Sequence, residues 1–228
     1  MFKPVSSSSA GNCYLMPGLI IEAGISIAAI RKASGFSLSG RECLVSHEHG
    51  DHSKAVKDLI KAGVNCWMSA GTAEALGVAG HRVKIMEAGK QYQVGGWQVV
   101  PFDVVHDAAE PFGFLLAKGD EKWAFITDTA YVSVKMGKGL TGIAIEANYC
   151  PEILADNVAA GRIGTAQKNR LLFSHFSIDN VLEFLKANDL SRVREIHLLH
   201  LSNGNSNAEE FKAKVQAAAG KPVMVAAA

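Results

Sequence analysis

The chain has 228 residues, a formal net charge of +1, 48% hydrophobic residues and 20% charged ones. That balance excludes a disordered chain, and it excludes recruitment to nucleic acid or anionic lipid by overall charge. It supplies enough apolar material for the core of one large α/β domain over residues 1–228.

In chain order, Asn12–Leu15 and Leu19–Glu22 read as a hairpin around Pro17-Gly18, and Cys43–Ser46 as a further strand. Lys54–Ala62 reads as a helix, with Ala55, Val56, Leu59 and Ile60 on one face and Gly63 as its stop. Asn65–Met68 and Val83–Met86 are strand candidates, and Gln91–Val94 and Trp97–Val105 flank the turn signal Gly95-Gly96. Phe112–Ala117 and Trp123–Thr127 form a second hairpin pattern, and Ile143–Ala147 is a buried strand. Asp179–Ala187 reads as a helix, Val193–Leu199 as a strand, Ala208–Ala219 as a helix ending at Gly220, and Val223–Ala226 as a last strand. Strand-rich halves, each followed by helices, imply an α/β fold of two packed sheets with helices outside, an αββα sandwich.

The four cysteines, Cys13, Cys43, Cys66 and Cys150, are scattered without a C-x-x-C pair and read as buried free thiols of a reducing compartment. The opening MFKPVSSSSAGN has no signal-peptide core, and no run approaches the roughly 18 apolar residues of a membrane span. A cytoplasmic protein without membrane contact is expected.

The most informative stretch is His47-Glu48-His49-Gly50-Asp51-His52, directly after the apolar run Cys43-Leu44-Val45. One short turn carries three imidazoles and a carboxylate. At this spacing His47 and His49 can close on one ion while Asp51 and His52 turn towards another. Imidazole with carboxylate suits zinc, manganese, iron or cobalt. His106, Asp128 and His200 each close a candidate strand, where folds of this kind present their chemistry. Together these make seven donors, enough for two four-coordinate ions sharing one carboxylate. His81 in a polar turn and His197 in mid-strand read as structural.

The order H-x-H-x-D-H, His106, Thr127-Asp128-Thr129, His200 resembles the metallo-β-lactamase fold. Ser7-Ser8-Ser9-Ala10-Gly11-Asn12-Cys13-Tyr14-Leu15 is similar to the S-G-S-S-G-N-C-Y opening of its WalJ/YycJ-like branch. Glu146-Ala147-Asn148-Tyr149, Ser174-His175-Phe176-Ser177 and Leu199-His200-Leu201-Ser202 resemble that branch's E-A-N-Y, G-H-L-S and H-L-S segments. The resemblance assigns His47, His49 and His106 to a first metal, and Asp51, His52 and His200 to a second, with Asp128 bridging. Two positions depart from the pattern. Glu22 stands where the family has an Asp that orients the metal loop, and Ser174 stands where the branch has Gly before His175.

Two divalent ions, zinc or manganese, would make a bridging water into a hydroxide nucleophile and stabilise the charge that develops on the attacked group. The resemblance, the extra imidazole of His175 and a carboxylate rather than a thiolate at position 128 imply a phosphodiesterase acting as a nuclease on DNA or RNA. Asp51, at the second ion, and His175, as general acid, are the residues named for the catalytic step. Lys54, Lys57 and Lys61, and Arg162, Lys168 and Arg170, are possible phosphate contacts that read first as solvated faces. No β-CASP insertion fits between Asp128 and His200, so a small phosphodiester such as a cyclic nucleotide is an alternative substrate. A thioesterase, lactonase or β-lactamase is a second alternative, and a non-catalytic metal-binding module a third.

Overall fold

The computed structural model describes residues 2–226. These divide into two compact units, one of residues 2–103 and 108–114, the other of residues 104–107 and 115–226.

The first unit holds β1 (Lys3–Ser6), β2 (Cys13–Met16), β3 (Leu19–Ile21), α1 (Ile27–Ala33), β4 (Glu42–Leu44), α2 (Gly50–Ser53), α3 (Val56–Lys61), β5 (Cys66–Met68), α4 (Ala70–Leu76), β6 (Val83–Ile85), β7 (Tyr92–Val94) and β8 (Trp97–Asp103). Strands β1 to β6 form one sheet in sequence order, antiparallel from β1 to β3 and parallel from β3 to β6. The parallel half needs crossovers, which α1, α3 and α4 supply. The core under them gathers Cys13, Ile20, Ile30, Cys43, Val45, Val56, Leu59, Cys66 and Met68, all buried. The hairpin at Pro17-Gly18 forms as the sequence implies, and β7 and β8 pair antiparallel around Gly95-Gly96. The helix expected at Lys54–Ala62 is shorter, Val56–Lys61, because α2 occupies the turn before it. Strand β8 stops at Asp103 rather than Val105.

Strand β9 (Phe112–Lys118) leads from the first unit into the second. The second unit holds β10 (Glu121–Ile126), β11 (Gly142–Glu146), α5 (Pro151–Ala159), α6 (Thr165–Ser174), α7 (Ile178–Ala187), β12 (Glu195–Leu199), α8 (Ala208–Ala219) and β13 (Val223–Val225). Strands β10, β11, β12 and β13 are mutually parallel neighbours. Every residue of β11 is buried, as expected of a parallel strand covered on both faces. The register sets Ile126 against Ile145 and Glu146 against Leu199, so β10, β11 and β12 end nearly level.

All four cysteines are free and buried, as the sequence led us to expect. Burial, with Glu22 nearby, pushes the Cys13 thiol up to about 12. Among the described residues, no helix is long and apolar enough to cross a membrane.

Candidate metal centre

In the first unit the histidine loop follows β4 and runs into α2, with His49 as the N-cap residue. It is held mostly by backbone. The Asn12 amide donates to the Asp51 carbonyl at 2.7 Å, and the Ala23 amide donates to the His52 carbonyl at 2.7 Å. Gly24 is required here, since a Cβ at that position would stand 1.6 Å from the Asp51 carbonyl oxygen. The Gly11-Asn12 segment and the end of β3 therefore clamp the loop from one side. The imidazoles of His47 and His49 lie 4.7 Å apart between ring centroids, and those of His47 and His52 lie 4.2 Å apart. Asp51 Oδ2 stands 3.4 Å from His52 Nε2.

Glu22 does reach this loop. Its carboxylate is fully buried, accepts from the Ser46 amide at 3.2 Å and lies 3.3 Å from His52 Nδ1. The residue pays for that reach with a left-handed backbone, φ 64°. A non-glycine residue in that region costs of order 1–3 kcal/mol and persists only where its surroundings dictate it. Ser46 Oγ meets His47 Nδ1 at 2.8 Å. Asn12 Nδ2 lies 3.1 Å from His52 Nε2.

In the second unit the candidate side chains sit at the carboxyl ends of three adjacent parallel strands, the usual place for chemistry in such sheets. Asp128 follows β10, Glu146 is the last residue of β11, and His200 follows β12. Asp128 and His200 also carry positive φ, 39° and 51°. Among the described residues, three of the four non-glycine positions with positive φ are thus Glu22, Asp128 and His200, the fourth being Phe36. His200 Nδ1 stands 2.9 Å from Asp128 Oδ1 and 3.0 Å from Glu146 Oε1. His175 Nδ1 stands 2.7 Å from the same Glu146 oxygen. The second Glu146 oxygen accepts the amides of Phe176 at 3.0 Å and Thr129 at 3.1 Å. One donor atom each from Asp128, Glu146, His175 and His200 fall within 4.8 Å of one another.

His175 is the residue that caps the carboxyl end of α6. It leads into Ser177, whose side chain caps α7 by accepting from the Asn180 amide. The segment is pinned to the chain after β11, where the Asn148 amide donates to the Phe176 carbonyl and the Ile178 amide to the Tyr149 carbonyl. His106 Nδ1 donates to the Ser174 carbonyl at 2.7 Å, and its Nε2 lies 3.7 Å from Asp128 Oδ2.

Burial pulls the His106 imidazole below its ordinary pKa, partly opposed by Asp128, which favours the neutral form. Burial alone would also lower His175, but the facing Glu146 carboxylate outweighs it and leaves His175 above its ordinary value. Burial would raise the Glu146 carboxyl, yet the His175 imidazole opposite holds it below the usual carboxylate range.

The donor chemistry fits metal ions in both units. His47, His52, His106 and His200 each have Nδ1 against an oxygen of Ser46, Glu22, Ser174 or the Asp128–Glu146 pair. Fixing Nδ1 in this way turns Nε2 towards a ligating role, the arrangement metal-bound histidines show, although Asn12 Nδ2 also approaches Nε2 of His52. The structure gathers His47, His49, Asp51 and His52 within the first unit, and His106, Asp128, His175 and His200 within the second. His197 lies apart, against Trp123 and Glu195. Glu146 was not among the site residues expected from the sequence. Its only signal there is the E-A-N-Y segment, because a carboxylate ending an apolar run reads as a strand terminus.

Glu146→Gln tests its importance. One amide nitrogen would then face an N–H group, and the tautomers of His175 and His200 would lose their common anchor. The expected result is a loss of about 10–100-fold in metal affinity or activity, read by competition with a chromogenic chelator.

A model of the beta-lactamase superfamily domain matches residues 41–198 of the chain. The exodeoxyribonuclease WalJ of Streptococcus pneumoniae serotype 2 (strain D39) is 30% identical, over 91% of this chain and 84% of that protein. The exodeoxyribonuclease YycJ of Bacillus anthracis is 29% identical, with the same coverage of each chain. The chain therefore belongs to the beta-lactamase superfamily, in its WalJ/YycJ-like branch. Among solved structures, the metallo-β-lactamase fold protein YhfI from Bacillus subtilis superposes with a TM-score of 0.74 at 13% identity, over 99% of this chain and 95% of that one. The fold is thus the metallo-β-lactamase type with two mixed sheets and helices, as the sequence implied.

Proposed function

We propose that the protein is a metal-dependent phosphodiesterase acting as a nuclease, with DNA ends as the favoured substrate. The observation that carries this reading is the cluster at the ends of β10, β11 and β12, where Asp128 and Glu146 share His200 and Glu146 also holds His175. The naming of two relatives as exodeoxyribonucleases supports the choice of substrate.

In this reading the single domain carries one dinuclear centre. His47, His49 and His106 would hold one divalent ion, Asp51, His52 and His200 would hold the other, and Asp128 would serve both. Zinc or manganese bound there supplies Lewis acidity and activates a water nucleophile. Asp51 and Asp128 contribute the negative charge that keeps two cations together. Glu22, Ser46 and Ser174 fix the imidazoles that must not rotate. Glu146 accepts a hydrogen bond from His175 Nδ1–H, so in the imidazolium form the Nε2–H is the proton His175 can give to the leaving sugar oxygen as its bond to phosphorus breaks. The imidazole is then reprotonated from solvent, and the products are a phosphomonoester and a free hydroxyl.

A substrate panel tests the reading: bis(p-nitrophenyl) phosphate, single- and double-stranded oligonucleotides, cyclic nucleotides, nitrocefin and a thioester. The expected outcome is cleavage of the phosphodiesters and none of nitrocefin. Turnover of nitrocefin or the thioester with no phosphodiester cleaved would sink the proposal. Cleavage of cyclic nucleotides but not of oligonucleotides would move it to a small substrate.

A further inference from the structure

Helix α6 is an anomaly for a folded protein. Ten residues long, it buries only its last, Ser174. Phe173 is 74% exposed and Leu172 39% exposed, although neither sits in a loop. A helix gains most of its stability from packing an apolar face, and this one leaves Leu172 and Phe173 to solvent, with Leu171 half-buried. From Gly161 to His175 the chain carries Arg162, Lys168 and Arg170 and no acidic residue. Asp107 offsets Arg170 at 2.9 Å, while Arg162 Nε bonds only the neutral Asn157 side chain. The acidic residues of this region, Glu152 and Asp156, lie back on α5.

The helix is fastened at its far end to the groups assigned to catalysis. Ser174 accepts the Nδ1 proton of His106, Arg170 binds the residue after His106, and the helix terminates in His175. Phe173 is therefore one residue from the group that holds His106 and two from His175.

We infer that α6 is the substrate platform, on which a single-stranded DNA end stacks a base against Phe173 while the cations of the same segment, Arg162, Lys168 and Arg170, serve its phosphates. This rests on the nuclease reading above and adds where the strand lies. Bases offer a π-face to any aromatic, and a strand's phosphates seek cations, so an exposed ring in a segment with three cations and no carboxylate matches a single strand on both counts. A second copy of the chain is a poorer match. Two exposed apolar residues and a half-buried Leu171 make too small a patch for a stable dimer, and a copy would bring the same positive charge against it.

The test is the anisotropy of a labelled single-stranded oligonucleotide with phosphorothioate linkages, which resists cleavage, on the metal-loaded protein. Phe173→Ala should raise Kd by about 5–100-fold, the usual cost of one lost base stack. Phe173→Trp should restore binding, and Phe36→Ala, which removes an exposed phenyl ring in the other unit, should change nothing. Lys168→Ala should reduce the slope of log K against log salt by about 0.7, one phosphate's worth of released counterion on a single strand. Equal affinity for wild type and Phe173→Ala would overturn the platform while leaving the nuclease reading intact, and so would a change in sedimentation without a change in binding. Wild-type protein that hydrolyses bis(p-nitrophenyl) phosphate but neither binds nor cleaves any oligonucleotide would overturn the nuclease reading, and the platform with it.

Discussion

His175→Ala should cut oligonucleotide cleavage by about 10²–10⁴-fold, the typical worth of a general acid, while most activity on bis(p-nitrophenyl) phosphate survives. A sugar alkoxide is a poor leaving group and needs a proton as it departs, whereas p-nitrophenolate is stable as an anion. The geometry makes the imidazole suitable, since Nδ1 is committed to a fully buried carboxylate at 2.7 Å and the facing charge raises its pKa. Equal losses on the two substrates would instead assign His175 a positioning role. Loss of metal in the variant would make it a ligand, an outcome its closeness to Asp128 and His200 makes worth measuring.

Asp128→Ala should disturb both ions and lower activity by about 10³-fold or more, because several kcal/mol of charge stabilisation disappear at roughly 1.4 kcal/mol per tenfold. His200→Ala should chiefly empty the second site. The difference follows from the proposed sharing: Asp128 serves both ions and His200 one. Elemental analysis of the two variants reads it directly, and full occupancy in Asp128→Ala would end the bridging assignment. The left-handed φ of Asp128 adds a check on stability. Asp128→Asn, which tolerates that conformation, should fold as well as the parent yet still bind metal poorly.

Much of this was legible from residues alone, for identifiable reasons. H-x-H-x-D-H is a local pattern, and His106, Asp128 and His200 follow strands whose apolar runs are unmistakable. Glu146 escaped because its importance is a matter of register: it ends β11 level with Leu199, one residue before His200, and no sequence pattern states which strands are neighbours. Glu22 looked like a weakened substitution for Asp. Full burial and a left-handed turn bring its longer side chain to His52 after all. Helix α6 gave no periodic signal because it has no buried face, and α1 and α4 were missed because seven residues hold barely two turns of pattern. The helix before Gly63 starts later than its apolar spacing implies, since Ala55 fits that spacing but belongs, with Lys54, to the turn that closes the histidine loop.

The central claim is that phosphodiester cleavage by this protein depends on metal held by these residues. It is tested most directly by following a labelled DNA oligonucleotide with one preparation before chelation, after chelation, and as zinc or manganese is returned in steps. The account predicts that cleavage vanishes on chelation and recovers to a plateau at two ions per chain. Cleavage that persists in the chelated protein, or recovery complete at a single ion, would contradict it.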